Sequence, residues 1–547
     1  MAYVVTASCL GDKFTKCVDV CPVDAFREGP QMLYIDPLVC IDCNACLTEC
    51  PVRAIYPDSA VPEPMQDYIE LNARMAKECP PITESLDVDD SQAGKTAKAP
   101  RAVGPARRLA VIGAGPSGFY AADEMLRQLP EATVDIFERL PTPFGLVRYG
   151  VAPDHPKIKS VSASFDKIAR SPKVRFFGNV ELGRDLSRDE LLAHYDAVLY
   201  ATGGSASRPL ALPGAELGNI QGASAFVGWY NGHPDFRHLQ VDLSGDTAVV
   251  IGMGNVALDI ARILAMPVAE LERTDIADYA LEALRQSNIR EVCLVARRGP
   301  VQAAFTPKEL RQLLDTQGVD IQVEADDLLL DAASAAELAE PLNTEARHNL
   351  TLLQEAQARP QRGGKIIRFV FKASPTEFTG ENQRVTTMEC VRNALQDDSR
   401  GSVSAVATGQ HLHLSASLVV NATGYQGVAI AGVAFDERRG VIANDSGRVL
   451  VDQAVSTREY AAGWIKRGAS GVIGSNKQCA VDSVGRLVAD LAEVPAALAS
   501  GQTPDVLSLF ENPQNSYTRA LLSALPENAT GDRLPTVADF MAAEARQ

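Results

Sequence analysis

Seven of the eleven cysteines lie within the first fifty residues, in two groups of close spacing. They are Cys9, Cys17, Cys21, Cys40, Cys43, Cys46 and Cys50. The last four form the pattern C-x₂-C-x₂-C-x₃-C-P, a spacing typical of iron–sulfur ligands in which the fourth cysteine serves a second cluster. The short spacing lets the first three thiolates bind three irons of one cluster, while the fourth points away. The pattern therefore predicts two iron–sulfur clusters.

Zinc is the alternative metal for these cysteines, because C-x₂-C pairs are common structural zinc ligands. One proline follows Cys21 and another follows Cys50, and each restricts the backbone before it. The short spacings combined with these prolines suit iron–sulfur clusters better than zinc. In a reducing compartment, clustered cysteines also favour metal binding over disulfides.

A glycine motif for a dinucleotide begins after the apolar segment at residues 107–112. Gly113, Gly115 and Gly118 form G-x-G-x-x-G between a predicted strand and a predicted helix, whose N-terminus would hold a pyrophosphate. Glu138 ends the next predicted strand, 20 residues after Gly118, at the spacing where an acid reaches a ribose hydroxyl. This order of strand, glycines, helix and acid predicts a dinucleotide site.

A second motif, Gly252-x-Gly254-x-x-Ala257, follows another apolar segment. Alanine is allowed at the third position, where a helix must pack closely. The next predicted strand ends at Arg297 and Arg298 and has no acid there. Two guanidiniums at this point suit a 2′-phosphate through charge-assisted hydrogen bonds, so the pattern favours NADP over NAD.

Two further apolar segments end in Ala-Thr-Gly, as strands do where two-dinucleotide flavoproteins cross between domains. They are residues 197–203 and 418–424. Together with the two motifs they predict FAD in one domain and NADP in an inserted lobe. The predicted domains are a cysteine-rich module at 1–82, a flexible linker at 83–106, a FAD-binding domain at 107–206 and 426–547, and an NADP-binding domain at 207–425. Residues 326–363 are rich in Ala, Leu and Glu and predict helix.

Composition excludes several classes of protein. The 547 residues carry a formal net charge of −17, which argues against nucleic acid as a partner. No apolar run reaches the roughly 18 residues of a membrane span, and the first residues lack the pattern of a secretion signal. We therefore expect a cytoplasmic protein with no membrane span.

The cysteine-rich module resembles a seven-iron ferredoxin over residues 1 to about 78. The similar segments are "CPVDAF", "MLYIDPLVC" and "CPVRAIY". The resemblance implies that Cys21, Cys40, Cys43 and Cys46 bind a 4Fe-4S cluster, and that Cys9, Cys17 and Cys50 bind a 3Fe-4S cluster. Asp12 stands where an eight-cysteine ferredoxin has another cysteine, and because a carboxylate can bind iron, an Asp12-ligated 4Fe-4S cluster stays open.

The rest of the chain resembles the adrenodoxin-reductase family of ferredoxin–NADP reductases. The similar segments are "PTPFGLVRYGVAPDHPKIK", "FVGWYNGHPD", "ARRGPVQAAFTPKEL" and "GWIKRGASGVIGSNKQCAVDS". The whole chain is therefore similar to a bacterial fusion of a seven-iron ferredoxin to such a reductase. The implied fold class is an α/β two-dinucleotide-binding flavoprotein, with Rossmann-like FAD and NADP domains, preceded by an α+β bacterial ferredoxin domain.

The reductase resemblance assigns roles by matching positions. Contacts to FAD are implied for Gly113, Gly115, Gly118, Glu138, Leu146, Val180, Trp464, Gly471, Val472 and Ile473. Contacts to NADP(H) are implied for Gly252, Gly254, Asn255, Val256, Ala257, Arg297, Arg298 and Glu309. His155 and Glu309 are the expected catalytic residues near the nicotinamide and the flavin, where positioning is expected rather than obligatory proton transfer.

The expected function is electron transfer from NADPH through FAD to an iron–sulfur ferredoxin, either the fused one or a separate one. FAD is required because NADPH gives two electrons at once, whereas a cluster accepts one. The expected final partner is a one-electron acceptor such as a cytochrome P450. One alternative is the electron-feeding subunit of a larger synthase, and another is a non-enzymatic nucleotide sensor. A third is a dithiol reductase, but this chain lacks the paired cysteines of that class after residue 50.

Overall fold

The computed structural model describes residues 2–11, 15–43, 45–82, 106–340, 343–397 and 403–493. Asp12 and residues 83–105 of the predicted linker lie outside these residues. The chain divides into two compact units. Unit 1 comprises Met1–Val151, Lys157–Ser205 and Gln426–Gln547, and unit 2 comprises Ala152–Pro156 and Ala206–Tyr425. Among the helices described, none is long and apolar enough to cross a membrane.

Unit 1 begins with a small α+β module, residues 2–82, which we call the front module. Its elements are β1 Tyr3–Val5, α1 Lys16–Asp19, β2 Phe26–Glu28, β3 Leu33–Ile35, α2 Ala45–Glu49, β4 Ile55–Pro57 and α3 Asp67–Glu78. Strand β1 pairs antiparallel with β4, and β2 pairs antiparallel with β3. Asn72 of α3 joins the two pairs, because its buried Oδ1 accepts hydrogen bonds from the backbone N–H groups of Val5 and Ile35, at 3.1 and 2.9 Å.

The next part of unit 1 alternates strands and helices. Its elements are β5 Arg108–Ile112, α4 Pro116–Gln128, β6 Thr133–Phe137, α5 Leu146–Tyr149, α6 Pro156–Lys159, α7 Ser162–Ala169, β7 Val174–Phe177, α8 Arg188–His194 and β8 Ala197–Tyr200. Apolar residues at almost every strand position bury both faces of a parallel sheet. The rings of Phe119 in α4 and Phe165 in α7 stack in the core at 5.4 Å.

Unit 2 contains a parallel sheet of six strands and an antiparallel sheet of three. The elements of this part are β9 Ala206–Ser207, β10 Ile220–Gly222, α9 Ala223–Tyr230, β11 Thr247–Ile251, α10 Asn255–Ala265, α11 Val268–Leu271, α12 Asp278–Arg285, β12 Glu291–Val295, α13 Pro307–Asp315, β13 Val319–Val323, α14 Ala332–Ala339, α15 Thr344–Ala358, β14 Lys365–Val370, β15 Ala373–Glu381, β16 Arg384–Asp397, β17 Val403–Ser415, β18 Leu418–Asn421 and β19 Tyr425–Gln426. The parallel order is β10-β18-β11-β12-β14-β13. Helices α14 and α15 confirm the helical prediction for residues 326–363.

The last described part of the chain returns to unit 1. Its elements are β20 Phe435–Asp436, β21 Val441–Ile442, β22 Asn444–Asp445, β23 Arg448–Val451, β24 Ala454–Ala461, α16 Trp464–Arg467 and α17 Ile473–Glu493. Strand β24 pairs parallel with β8 and completes the sheet order β22-β23-β24-β8-β5-β6-β7. Helix α17 packs along α4.

Each predicted glycine motif lies between a strand and a helix. Gly113 and Gly115 lie between β5 and α4, and Gly252 and Gly254 lie between β11 and α10. The two Ala-Thr-Gly segments follow β8 and β18. The predicted fold class is confirmed, since both parallel sheets place their glycine loops at the carboxyl end of a central strand, where dinucleotide-binding folds bind ligands.

Candidate functional site

The seven clustered cysteines line two cavities in the front module. The cavity that we call the three-cysteine site is lined by Val5, Cys9, Cys17, Leu33, Cys50, Pro51, Val52 and Ile55. The cavity that we call the four-cysteine site is lined by Tyr3, Cys21, Pro22, Val23, Ala25, Phe26, Ile35, Cys40, Ile41, Cys43, Ala45 and Cys46. The three and the four cysteines that the ferredoxin resemblance assigns to separate clusters therefore line separate cavities, with Cys21 and Cys50 each facing the cysteines of the other sequence group.

Backbone N–H groups point at sulfur in the four-cysteine site. Ala25 donates to Sγ of Cys21 at 3.3 Å, and Asp42 donates to Sγ of Cys40 at 3.4 Å. Burial raises the pKa of the Cys46 thiol well above its ordinary value, so the apolar cavity disfavours thiolates on their own. A bound cationic metal reverses this preference, because coordinated thiols are deprotonated. Four sulfur donors, three of them buried and that of Cys43 half-buried, in an apolar cavity fit an iron–sulfur cluster.

The three-cysteine site is built from three separate local elements. Cys9 ends a 3₁₀ turn, Cys17 lies in α1, and Cys50 follows α2. Sγ of Cys50 accepts a hydrogen bond from the backbone N–H of Ala54 at 3.3 Å. The pKa of the Cys17 thiol is raised to about 12, mainly by burial and to a smaller extent by the neighbouring Cys50 and Cys9. These three donors also fit a cluster, while Asp12, the candidate fourth ligand, lies outside the described residues.

The first glycine loop requires its glycines for two reasons. Gly113 has φ of +103°, a conformation that disfavours side chains, and a Cβ there would lie 2.6 Å from the carbonyl oxygen of Ala201. A Cβ at Gly118 would overlap the carbonyl oxygen of Gly113. Gly115 caps α4, and a Cβ added there would meet nothing within 4 Å, so the N-terminus of α4 is accessible to a phosphate on that side.

Glu138 lies beneath this loop and is 8% exposed. Its Oε2 accepts from the backbone N–H of Ala114 at 2.8 Å, and its Oε1 accepts from that of Leu140 at 3.0 Å. Burial raises the pKa of Glu138, while these two hydrogen bonds oppose that rise. The backbone N–H of Val180 donates to the carbonyl of Glu138 at 2.9 Å, so Val180 lies beside the acid.

The other predicted FAD residues lie in two loops of unit 1. Leu146 starts α5 directly after Gly145, whose Cβ would approach Gly115 at 3.0 Å, so this loop touches the glycine loop. Trp464 starts α16, and its indole N–H donates to the carbonyl of Ser470 at 2.9 Å. That bond closes the loop before Gly471, Val472 and Ile473, where α17 begins.

The glycine loop of unit 2 has the same geometry with a different third residue. Gly252 has φ of +142° and Gly254 caps α10. Ala257 stands where the first loop has Gly118 and is buried. Asn255 fixes a neighbouring loop, because its Oδ1 accepts from the backbone N–H of Thr306 at 2.9 Å. Val256, next to it, is half-buried.

Arg297 and Arg298 follow β12, as predicted. Their carbonyls are held by Nδ2 of Asn393, at 2.8 Å, and by the backbone N–H of Lys372, at 3.1 Å. Arg297 is exposed and Arg298 is half-buried. Over the described ranges neither guanidinium has a hydrogen bond or an ion pair within the protein, so both are available to a phosphate.

His155 and Glu309 meet inside unit 2 in a buried network of charges. Nε2 of His155 lies 3.7 Å from Oε2 of Glu309. Arg262, which is fully buried, donates to both Asp154 oxygens at 2.6 and 2.9 Å, to Asp259 at 2.7 Å and to Nε2 of His155 at 2.8 Å. Because a guanidinium has only donors, Nε2 of His155 is the acceptor in its contact with Arg262.

Glu309 is an incompletely hydrogen-bonded member of this network. Its Oε2 is buried and has no hydrogen-bond partner in the described part of the chain. Burial raises the pKa of Glu309, and the neighbouring carboxylate of Asp259 adds to the rise. Thr306 caps α13 by accepting from the Glu309 backbone N–H at 3.4 Å, which fixes the position of Glu309. The network can therefore hold a polar group and exchange a proton at Glu309.

Sequence reasoning missed Asp154, Asp259 and Arg262. Asp259 and Arg262 are separated by three positions on α10, a helix whose other residues beyond its first turn are apolar. Polar residues one turn apart on a buried helix face are a sign of a specific partner, since buried charges require pairing. That sign was present in "NVALDIARIL".

Comparison with protein families identifies both parts of the chain. Residues 33–56 match the 4Fe-4S binding domain, and residues 107–327 match the pyridine nucleotide-disulphide oxidoreductase family. Curated relatives include a probable ferredoxin/ferredoxin–NADP reductase of Mycobacterium bovis, 40% identical over 510 residues, which are 90% of this chain and 84% of the relative. This similarity covers the front module and the reductase part together.

Other relatives match the reductase part. NADPH-ferredoxin reductase FprA of Mycobacterium tuberculosis is 46% identical over 391 residues, 70% of this chain and 84% of the relative. The mitochondrial NADPH:adrenodoxin oxidoreductase of Arabidopsis thaliana is 41% identical over 397 residues, 70% of this chain and 82% of the relative. The solved structure of Mycobacterium tuberculosis FprA in complex with NADPH has a TM-score of 0.70 at 40% identity, covering 80% of this chain and 99% of that one.

Proposed function

We propose a route for electrons through this chain, starting from the premise that it belongs to the family of ferredoxin/ferredoxin–NADP reductases. As in that family, the chain is an oxidoreductase that transfers electrons from NADPH to ferredoxin, with FAD and an iron–sulfur cluster as cofactors. Our proposal concerns the finer assignment: electrons enter at the nucleotide site of unit 2, pass to FAD in unit 1 and leave through the front module. The observation that carries it is the combination of two glycine loops and two buried cysteine sites in one chain.

We assign the 4Fe-4S cluster to the four-cysteine site and the 3Fe-4S cluster to the three-cysteine site. The support is the geometry of the donors, which are sulfur only and lie in apolar cavities. Iron analysis under anaerobic conditions tests this assignment, with about seven irons per chain as the expected result. A result of about eight irons, with no 3Fe EPR signal after mild oxidation, would instead assign Asp12 as a ligand.

In unit 1, we propose that the N-terminus of α4 binds the pyrophosphate of FAD and that Glu138 binds its ribose. When bound, FAD supplies the conversion between two-electron hydride transfer and one-electron transfer. The remaining proposed contacts are Leu146, Val180, Trp464, Gly471, Val472 and Ile473. The backbone bonds of Glu138 support this role, because they orient its carboxylate before any ligand arrives.

In unit 2, we propose that the loop containing Gly252, Gly254 and Ala257 binds the pyrophosphate of NADP(H). Arg297 and Arg298 then bind the 2′-phosphate through their unpaired guanidiniums. His155 and Glu309 hold the polar end of the nicotinamide. Arg262 positions His155 by donating to its Nε2.

The acceptors beyond the front module are also part of the proposal. We propose that the fused ferredoxin is the first acceptor and that a separate ferredoxin or a cytochrome P450 takes electrons from it. We place the reaction in the cytoplasm, where NADPH is available and thiolate ligands stay reduced.

Steady-state kinetics on the intact chain test this proposal. NADPH should drive reduction of both ferricyanide and cytochrome c, and NADH should drive both far more slowly. Cys43→Ser should lower cytochrome c reduction several-fold and spare ferricyanide, because ferricyanide takes electrons from flavin directly. Negligible NADPH oxidation with either acceptor would contradict the proposal and favour a nucleotide sensor. A stable heteromer on sizing of native extract would favour the synthase-subunit alternative.

A further inference from the structure

We propose that the four-cysteine site is the entry for electrons into the front module and that the three-cysteine site is the exit. The inference rests on the proposed function, since it gives an order to the two clusters assigned there. It comes from the surface by which the front module packs on α17 within unit 1. That surface lies beside the four cysteines.

The front module approaches α17 closely at Gly474. A Cβ added there would overlap the carbonyl oxygen of Val20 and the Cβ of Ala45. Val20 immediately precedes Cys21, and Ala45 immediately precedes Cys46. Gly474 lies in the first turn of α17, and the absence of a side chain there has a packing reason. That reason is room for the two ligand segments.

Lys477 lies one turn further along α17 and holds the same segment. Its Nζ donates to the carbonyl oxygen of Cys21 at 3.0 Å and lies 3.3 Å from Oδ1 of Asp24. Lys477 and Cys21 are 456 positions apart in the chain. The bond to a carbonyl fixes backbone position, and the ion pair adds attraction that salt screens.

Apolar contacts complete the packing on the same side of the front module. Ile41, which follows Cys40, is 3% exposed and belongs to the apolar core formed with Tyr120 of α4. Val23 and Cys43 pack against this core, as does Ile473 at the start of α17. Each of the four cysteines is therefore in this interface or next to a residue that is.

The proposed flavin segment ends where this packing begins. Ile473 is a proposed FAD contact, and Gly474 is the contact to Val20 and Ala45. Adjacent Cα atoms in a chain are about 3.8 Å apart. A single residue step therefore joins the flavin-binding segment to the backbone that holds Cys21 and Cys46.

The three-cysteine site has different surroundings. Leu10 follows Cys9 and is 47% exposed. Lys16 precedes Cys17, Pro51 follows Cys50, and both are exposed. An external acceptor can reach this rim, and the exposed Leu10 and Pro51 give it apolar contact area. Helices α1 and α2, which carry Cys17 and Cys46, pack against each other and place the two sites side by side.

The electron balance is simple. One NADPH becomes NADP⁺ and H⁺ and releases two electrons, which cross the front module one at a time. Two molecules of an oxidised one-electron acceptor are each reduced once at the three-cysteine rim. No other oxidant or reductant is required.

EPR of the intact chain tests the order directly. In Cys43→Ser, anaerobic NADPH should bleach the flavin, while the signal of the oxidised 3Fe cluster persists until dithionite is added. In Cys50→Ser, NADPH should still reduce the cluster that remains. Loss of the 3Fe signal at the wild-type rate in Cys43→Ser would overturn the order. Failure of NADPH to bleach the flavin in the wild-type chain would instead contradict the proposed function.

A second pair of variants keeps the test informative if a cysteine variant fails to fold. Gly474→Ala should separate the front module from α17, slow cluster reduction at least several-fold, and raise flavin fluorescence because a nearby cluster quenches it. Gly485→Ala is the matched control on the same helix, since nothing lies within 4 Å of its added Cβ. Equal flavin fluorescence and equal rates of cluster reduction in the two variants would contradict the proposal that the front module docks on α17 at Gly474.

Discussion

The two glycine loops of this chain have the same type of backbone geometry. The strand that follows each loop, however, ends in side chains of opposite charge. In unit 1 the third residue is Gly118, and the strand tip holds the buried Glu138, whose two oxygens already accept backbone hydrogen bonds. In unit 2 the third residue is Ala257, and the tip holds Arg297 and Arg298. Neither arginine side chain has a partner among the described residues.

This difference corresponds to two kinds of nucleotide binding. A buried carboxylate that the backbone orients in advance loses little entropy on binding and suits a cofactor that is retained. Exposed guanidiniums suit a ligand that binds and leaves, because attraction to a phosphate raises the rate of encounter. We infer that FAD stays bound at the first loop and that NADP(H) exchanges at the second.

The largest effect is expected from Gly118→Ala, which should produce protein that loses FAD on purification. The added Cβ would overlap the backbone oxygen of Gly113, and overpacking of this kind costs roughly 1–3 kcal/mol or more. The measurement is the ratio of flavin to protein absorbance. Full FAD content in this variant would show that close packing at the first loop is not required for FAD to stay bound.

The double variant Arg297→Gln, Arg298→Gln should lower kcat/KM for NADPH by about 100-fold and leave that for NADH nearly unchanged. Hydrogen bonds to a charged group contribute roughly 1.5–3 kcal/mol each, and 1.4 kcal/mol is a factor of ten. Steady-state ferricyanide reduction with each nucleotide measures the ratio. Arg311→Gln, which removes a half-buried arginine of α13 that pairs with Glu355, is the control. An unchanged ratio in the double variant would place the phosphate elsewhere.

Glu309→Gln should change how stability depends on pH. Because the pKa of Glu309 is raised in the folded protein, the folded chain binds a proton that the unfolded chain has lost, so this group lowers stability as pH rises above its ordinary value near 4.3. Asp259, His155, Lys308 and Arg262 are the charged or titratable groups that act on the same carboxyl.

Thermal unfolding at two pH values measures this effect. Glutamine does not titrate, so the melting temperature of the variant relative to wild type should rise by the order of 1 °C between pH 5 and pH 8. Glu355→Gln, at an exposed position on α15, is the control. A parallel pH dependence in wild type and Glu309→Gln would show that Glu309 is ionised throughout.

The smallest effect is expected from Ala257→Gly, the counterpart of Gly118→Ala. It removes one methyl group in a helix and costs about 1 kcal/mol of stability. The KM for NADPH should rise by less than about threefold. A loss of nucleotide binding as large as that of the arginine variant would make close helix packing, not charge, the main determinant in unit 2.

Local patterns in the sequence were reliable where a few neighbouring residues make the structure. The strand, glycine loop and helix at Gly113 and at Gly252 are confirmed, because positive φ and close packing select glycine within a single turn. The helices α14 and α15 are confirmed because Ala, Leu and Glu favour helix within a short segment. The cysteine ligands, the nucleotide contacts and the domain boundaries stay predictions, although the cysteines do lie in two groups.

By itself the sequence determined the class of chemistry of this protein. The chemistry can be predicted from neighbouring residues because each motif lies within a short segment of chain. These motifs are the cysteine spacing, the glycine motifs and the arginine pair after β12. Only the tertiary structure decided which distant groups meet. Arg262 donates a hydrogen bond to Asp154, which is 108 positions away in the chain, and Lys477 donates one to Cys21, which is 456 positions away. The physical reason is that such buried or packed contacts depend on how whole sheets and helices pack, which no local spacing encodes.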